Sequence, residues 1–197
     1  MSQKKHGDDT TNPLDWATLD STYLFRERHL TVRSDRCRMP DGRVVDPYYV
    51  LEFPAWASVV ALTPDRRIVL IREYRHGLGR TLLGLPCGIV EAGETPEMAA
   101  RRELLEETGY TAGSLDRLCA LTPNPATHNN LTYCYLATDA VLTGEQQLDR
   151  TEEIEVVTAP LVDMPDLIDR GEFFQALHIS AVYFALRKQG LLTAGRS

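Results

Sequence analysis

The chain has 197 residues, 43% of them hydrophobic, with 21 Lys and Arg against 28 Asp and Glu for a formal net charge of -7. That supplies apolar material for a domain-sized core. The acidic balance weighs against a nucleic-acid backbone or an anionic membrane as partner, because both select basic patches. It leaves room for a phosphorylated small molecule, which needs only a local basic group or a metal ion. No apolar run approaches the ~18 to 20 residues of a membrane span. The four cysteines, Cys37, Cys87, Cys119 and Cys134, form no CxxC pair. They read as reduced thiols of a cytoplasmic protein, not as a zinc or redox motif.

Residues 1–20 are polar at their start, lack the apolar centre of a secretory signal, and read as a flexible tail. Residues 21–55 form an N-terminal strand region. YLFRERHLTVRSDRC (23–37) and RVVDPYYVLEF (43–53) have strand-like content, and Asp41-Gly42 between them predicts a hairpin. From residue 56 onward a second region begins. WASVVAL (56–62) and IVLIREY (68–74) are apolar strands around the turn TPDRR, a second expected hairpin. Residues 82–85 form a short extended piece ending at Pro86. Thr95 suits a helix N-cap, Pro96 the first helical position and Gly109 the C′ position, so MAARRELLEET is a helix. Strands are expected at 115–121, 131–137 and 154–159, and helices at 162–170 and 174–189. This order predicts a layered α/β sandwich.

The central helix carries Glu103, Glu106 and Glu107 behind Arg101 and Arg102. Spacings of three and four put the three glutamates on one side of a helix, where like charges repel by a few tenths of a kcal/mol per pair, roughly. Two readings account for them: a solvated face softened by the arginines, or a seat for a hard divalent cation, whose binding offsets the repulsion.

The stretch around them fits Gly-x5-Glu-x7-Arg-Glu-(apolar)-x-Glu-Glu-x-Gly-(apolar), at Gly88, Glu94, Arg102, Glu103, Leu104, Glu106, Glu107, Gly109 and Tyr110. It resembles the signature of the Nudix hydrolases, departing only in an aromatic residue at 110. The resemblance implies a Nudix-type α/β/α sandwich with a mixed sheet, spanning 56–197 as the catalytic domain, with an N-terminal antiparallel strand extension. It implies a loop–helix–loop holding Mg²⁺, with Mn²⁺ as an alternative. Glu103 and Glu107 would be direct ligands and Glu106 would bind or support a further ion. Glu94 and Arg102 would pair, Gly88 would allow a close turn, and the backbone carbonyl of Cys87 would be a ligand. Alanine is more usual at 87, and a thiol there raises the question of soft metals and oxidants.

Over roughly residues 22–190 the chain resembles the ADP-ribose pyrophosphatase branch, in the N-terminal strands, VVALTPDRRIVLIREYRHG, LPCG and TEEIEV. That branch implies hydrolysis of a nucleoside diphosphate sugar to a nucleoside monophosphate and a sugar phosphate. It also implies a homodimer that exchanges N-terminal strands. Arg75 matches a substrate-contacting arginine; otherwise it is a surface residue in a turn. Glu152 matches a mobile glutamate that activates the attacking water, and Glu153 is its rival. Trp56 and Tyr49 are candidates to stack on a base, with core packing the alternative. Asn130, in the loop TPNPATHNN, is a candidate for base or sugar contact or an ordinary turn residue. Tyr48-Tyr49 stand where some ADP-ribose enzymes have an arginine, which leaves room for other nucleotide sugars. Dinucleotides, noncanonical triphosphates and a non-catalytic ADP-ribose sensor are the alternatives.

Overall fold

The computed structural model describes residues 12–27 and 30–192. The chain divides into two compact units, residues 1–53 with 124–129, and residues 54–123 with 130–197.

In the first unit, strands β1 (Ala17–Arg26), β2 (Thr31–Arg38) and β3 (Val44–Glu52) form an antiparallel sheet in that order. The β2–β3 connection is the expected turn, with Gly42 at φ 89° and its N–H donating to the Met39 carbonyl at 2.9 Å. The single strand expected over 23–37 is instead two, folded back so that Arg26 pairs with Thr31. The connecting residues contain no Gly, Pro, Asn or Asp, so no turn chemistry marks the break. The expected tail also ends sooner: residues 1–11 lie outside the described residues, but Ala17–Asp20 already belong to β1. The segment 124–129 joins this unit through hydrogen bonds to its backbone and to the Asn129 side chain. The Leu51 N–H donates to the Thr127 carbonyl at 2.7 Å, the Phe53 N–H to Asn129 Oδ1 at 3.2 Å, and the Tyr48 hydroxyl to the Ala126 carbonyl.

The second unit contains β4 (Trp56–Leu62), β5 (Arg67–Arg75), β6 (Arg80–Gly84), β7 (Cys87–Ile89), α1 (Pro96–Thr108), β8 (Tyr110–Thr111), β9 (Ser114–Leu121), β10 (Thr132–Thr138), β11 (Val141–Leu142), β12 (Ile154–Pro160), α2 (Met164–Asp169) and α3 (Ala176–Lys188). Its main sheet runs β12-β5-β4-β10-β9, with β6 on β5 and β7 on β4; β4 and β10 are parallel and the other pairs antiparallel. Alternate residues of the central strands serve opposite faces. Val60, Leu62, Ile68, Leu70, Cys134 and Leu136 pack with Ala181, Val182, Ala185 and Leu186 of α3. Ala57, Val59, Ala61, Val69, Tyr135 and Ala137 pack with Ala99, Ala100 and Leu104 of α1. Helices therefore cover both faces, which explains why β4 and β10 read as apolar runs without alternation.

The expected β4–β5 hairpin is paired only beside its turn, at Ala61–Val69 and Leu62–Ile68. Beyond that the strands part. β4 takes β7 on the same edge, through Ser58–Cys87, Ala57–Gly88 and Trp56–Ile89, and β5 takes β6. This splay puts Glu73 and Arg75 on one branch and Cys87 and Gly88 on the other.

Candidate active site

Helix α1 is fixed at both ends by its own sequence. The Thr95 hydroxyl accepts from the Met98 N–H at 3.2 Å, Pro96 occupies the first turn, and the Gly109 N–H donates to the Leu105 carbonyl at 2.7 Å. Gly109 has φ 74°, and a Cβ there would collide with the Gly144 carbonyl. Only glycine meets both demands. With the apolar stripe of Ala99, Ala100 and Leu104 on the sheet, Glu103 and Glu107 are carried inward and are 9% and 4% exposed, while Glu106 remains half-exposed.

Arg102 is the hub on the loop side of the helix. Its Nε and Nη2 grip both oxygens of Glu94 at 2.8 and 3.0 Å. Nη2 also donates to the Ile89 carbonyl at 2.9 Å, and Nη1 to Glu103 Oε1 at 2.7 Å and Glu106 Oε2 at 3.0 Å. The bidentate contact holds Glu94 below the usual carboxylate range. Glu94 also receives the Glu91 N–H at 3.0 Å, which closes the loop before the helix.

The other side is under-neutralised. Glu107 accepts one N–H, from Cys87 at 2.8 Å, and burial pushes its carboxyl up to about 9 despite that bond. The charges of Glu103, Glu73 and Glu152 add to the rise. Glu103 is raised, first by burial and then against the pull of Arg102. Glu73 on β5 is also raised, chiefly by burial, with Arg75 opposing and Glu152 reinforcing. A Cβ on Gly88 would lie inside the Glu103 carboxylate, so the backbone approaches this group as closely as a residue without a side chain permits. Among the described residues, no three His, Cys, Asp or Glu side chains converge as ligands. Arg102 holds Glu103 and Glu106, and the Cys87 N–H holds Glu107. The donor set nonetheless fits a hard divalent cation: carboxylate oxygens, close to a bare backbone, with less positive charge than their burial calls for.

A family model described as the NUDIX domain matches residues 53–181, well over half of the chain. The chain belongs to the Nudix hydrolases. These are enzymes that act on pyrophosphate bonds. A second model, described as the nucleoside diphosphate sugar hydrolase N-terminal domain, matches residues 16–51 of this Nudix protein. It is 29% identical over 179 residues to an ADP-ribose pyrophosphatase of Bacillus subtilis (strain 168), covering 90% of this chain and 96% of the relative. It is 32% identical over 170 residues to an ADP-ribose pyrophosphatase of Mycobacterium tuberculosis (strain ATCC 25618 / H37Rv), covering 85% and 82%. A solved structure of an ADP compounds hydrolase superposes with a TM-score of 0.80 at 28% identity, covering 92% of this chain and all of that one.

The other expected residues of this Nudix chain fall in distinct settings. Glu152 is half-buried in a tight turn, where its Oε2 accepts the Asp149 N–H and its own N–H donates to the Asp149 carbonyl, both at 2.9 Å. Its charge reaches Glu73, Glu103 and Glu107. Glu153 is exposed. The Cys87 thiol is buried and pushed up by burial and by Glu107, so it stays protonated and faces neither oxidant nor soft metal from solvent. Trp56 is half-buried at the start of β4, its backbone N–H bonded to the Leu131 carbonyl at 3.0 Å. Asn130 is buried; its Nδ2 donates to the Pro54 carbonyl at 3.1 Å, and its Oδ1 has no partner among the described residues. Tyr49 lies exposed on β3 of the first unit.

Three groups near the site escape a reading of the sequence. Glu73 sits in an apolar strand two residues before Arg75, and that spacing on one strand face was the available signal. His178 on α3 accepts the Leu85 N–H at Nδ1 at 3.1 Å, and burial and Arg75 push it down to about 3. Gln146 donates to the carbonyls of Glu107, at 2.7 Å, and Ile154, at 3.1 Å, tying the end of α1 to β12. No local pattern marks either residue.

Proposed function

We propose that this enzyme hydrolyses the diphosphate bond of ADP-ribose or another nucleoside diphosphate sugar, releasing a nucleoside monophosphate and a sugar phosphate in a Mg²⁺-dependent reaction. The observation that carries this is the cluster of Glu103, Glu106, Glu107 and Glu152, acidic beyond what Arg102 neutralises, in a chain whose N-terminal strands match those of nucleoside diphosphate sugar hydrolases. The names of the relatives support the same substrate class.

In this reading Glu103 and Glu107 hold Mg²⁺ and Glu106 supports a further ion, with the Cys87 carbonyl as backbone donor. When bound, the ions supply charge neutralisation at the diphosphate and a more acidic water. Mn²⁺ suits the same oxygen donors. Glu152 takes the proton of the attacking water. It is favoured over Glu153 because its charge reaches the cluster while Glu153 faces solvent. Arg75 binds diphosphate or ribose oxygens. Trp56, Tyr49 and Asn130 remain candidates for the base and sugar, with burial making Asn130 the weakest of them. The reaction is carried mostly by charge stabilisation and positioning. The enzyme works as a homodimer in this reading: β1 exposes Leu19, Tyr23, Leu24 and Phe25, an apolar strand that a second copy would cover.

The test is a panel of ADP-ribose, GDP-mannose, UDP-glucose, NADH, diadenosine polyphosphates and triphosphates with Mg²⁺, the products separated by chromatography. A nucleoside monophosphate from a nucleotide sugar supports the reading. Turnover confined to triphosphates overturns it.

A further inference from the structure

A small pocket open to solvent, with a cavity volume of about 30 Å³, is lined by Glu73, Arg75, Leu82, Gly84, Gln175 and His178 among others. Arg75 is 40% exposed at its side chain, and a long side chain of that exposure is costly to hold in one geometry. Here it is held. Its Nη1 donates to Glu73 Oε1 at 3.0 Å, and its Nη2 lies 2.7 Å from Glu73 Oε2. The second contact is an ion pair without hydrogen-bond alignment, so the buried Oε2 has no hydrogen-bond partner among the described residues. Glu73 is the one acidic partner of Arg75 among them. The neighbouring His178 brings no competing charge, because its Nδ1 is occupied by the Leu85 N–H and its burial keeps it neutral. Glu73 pairs across the strands with Ile154 and with Leu82, so strands on both sides fix its backbone. The Arg75 Nε–H and its outer N–H groups make no bond among the described residues.

We propose that Glu73 is the positioning residue for Arg75. Its carboxylate holds Nη1 and Nη2 of the guanidinium and so presents the remaining donors to the oxygens of the diphosphate substrate. This rests on the reading of Arg75 given above and adds a carboxylate that neither touches substrate nor holds the cation. A carboxylate so placed costs desolvation at Glu73 and offsets it by removing the freedom of Arg75 before substrate arrives.

The experiment is a double-mutant cycle on Glu73 and Arg75 in the full chain. ADP-ribose is the probe, read as turnover with Mg²⁺ and as calorimetric binding with Mg²⁺ omitted. Arg75→Ala and Glu73→Ala should each weaken binding by about tenfold, the loss expected for one charge-assisted hydrogen bond. The double variant should be no worse than Arg75→Ala. Glu73→Gln, which keeps one acceptor, should recover part of the loss, and its thermal stability shows whether the fold is intact. Additive losses would overturn the proposal. So would a Glu73→Ala variant with unchanged binding, lower kcat and weaker Mn²⁺ binding by electron paramagnetic resonance, since Glu73 would then belong to the cation cluster. If Arg75→Ala itself binds ADP-ribose normally, the role of Arg75 fails and this proposal with it. If the wild-type chain neither binds nor hydrolyses ADP-ribose, the same cycle is read on the nucleotide sugar that the panel selects; if the panel selects none, the substrate reading fails and this proposal with it.

Discussion

At one side of α1 a single guanidinium answers three carboxylates; at the other, one backbone N–H answers a carboxylate that is almost fully buried. Arg102 uses the Nε and Nη2 edge of its fork on Glu94 and spends its remaining donors on Glu103, Glu106 and a carbonyl. Glu107 has only Cys87 and is crowded by Glu73, Glu103 and Glu152. The same helix thus carries a neutralised clamp at Arg102 and, five residues on at Glu107, a reserve of acidic groups. The clamp behaves as structure. The reserve is what a site for a cation and a polyanionic substrate requires, because the missing positive charge arrives with the ligand.

The largest effect should come from Glu107→Gln. Glutamine keeps an acceptor for the Cys87 N–H but removes the charge, so folding should survive. The activity should fall more than about 100-fold, beyond the cost of losing an outer partner of a metal site. The variant also tests the charge reserve through pH. With its carboxyl up at about 9 in the folded chain, against an ordinary value of 4.5, Glu107 keeps its proton after the unfolded chain has released its own. Folded protein then binds more protons, so stability of the metal-free enzyme should fall as pH rises from about 4.5 and level off above about 9. Glu103 and Glu73, also raised, add the same sign. Mg²⁺ should restore stability, and more so at higher pH. Thermal melts at pH 5 to 9 with EDTA or Mg²⁺ measure this, and Glu107→Gln should flatten the EDTA curve. A flat wild-type curve would break the contrast between the two sides.

Breaking the clamp should cost stability first. Arg102→Ala strands Glu94, Glu103 and Glu106 in a partly buried setting, for a loss of about 2 to 3 kcal/mol. In a chain of this size that lowers Tm by roughly 4 to 12 °C. Differential scanning calorimetry decides it, and an unchanged Tm would reduce the clamp to a surface pair.

Most of the clamp and the carboxylate row was legible, because spacing along one helix is local information. Thr95, Pro96 and Gly109 marked the helix ends for reasons of cap geometry, and Glu94 with Arg102 stood out in the motif. The layered α/β sandwich followed from the order of apolar strands and helices, and its α/β/α form from the resemblance to the Nudix hydrolases. What was not legible depends on distant pairing. The splay of β4 from β5 cannot be seen in either strand, yet it sets Glu73 and Arg75 opposite Cys87 and Gly88. His178 on α3 and Gln146 in the connection before β12 are 93 and 39 residues away from their hydrogen-bond partners Leu85 and Glu107. The break between β1 and β2 lacked any turn residue. Cys87 shows the limit from the other side: its identity suggested reactivity, and burial removes it.

Gly88→Ala sharpens the contrast at its seam. The added methyl has no room beside the Glu103 carboxylate, so either β7 or Glu103 must move. Overpacking of this kind costs about 1 to 2 kcal/mol. The displaced carboxylate should also weaken Mn²⁺ binding, which electron paramagnetic resonance reads directly. Wild-type Mn²⁺ affinity in Gly88→Ala would show that Glu103 has more freedom than the contact implies.

The smallest effect is expected one residue away from the clamp. Arg101 pairs with Glu97 four residues earlier, at 3.0 Å, and reaches the Ala112 carbonyl at 3.2 Å. Both partners of that ion pair are more than 40% exposed, whereas Arg102 is 25% exposed. An exposed pair at this spacing contributes about 0.3 to 0.5 kcal/mol, and alanine returns part of it through better helix propensity. Arg101→Ala should therefore shift Tm by no more than about 2 °C and leave turnover unchanged. Comparing it with Arg102→Ala isolates geometry from charge, since the two substitutions remove the same side chain from adjacent positions of one helix. A loss at Arg101 equal to that at Arg102 would mean that net positive charge near the glutamates matters, and not the particular fork that holds them.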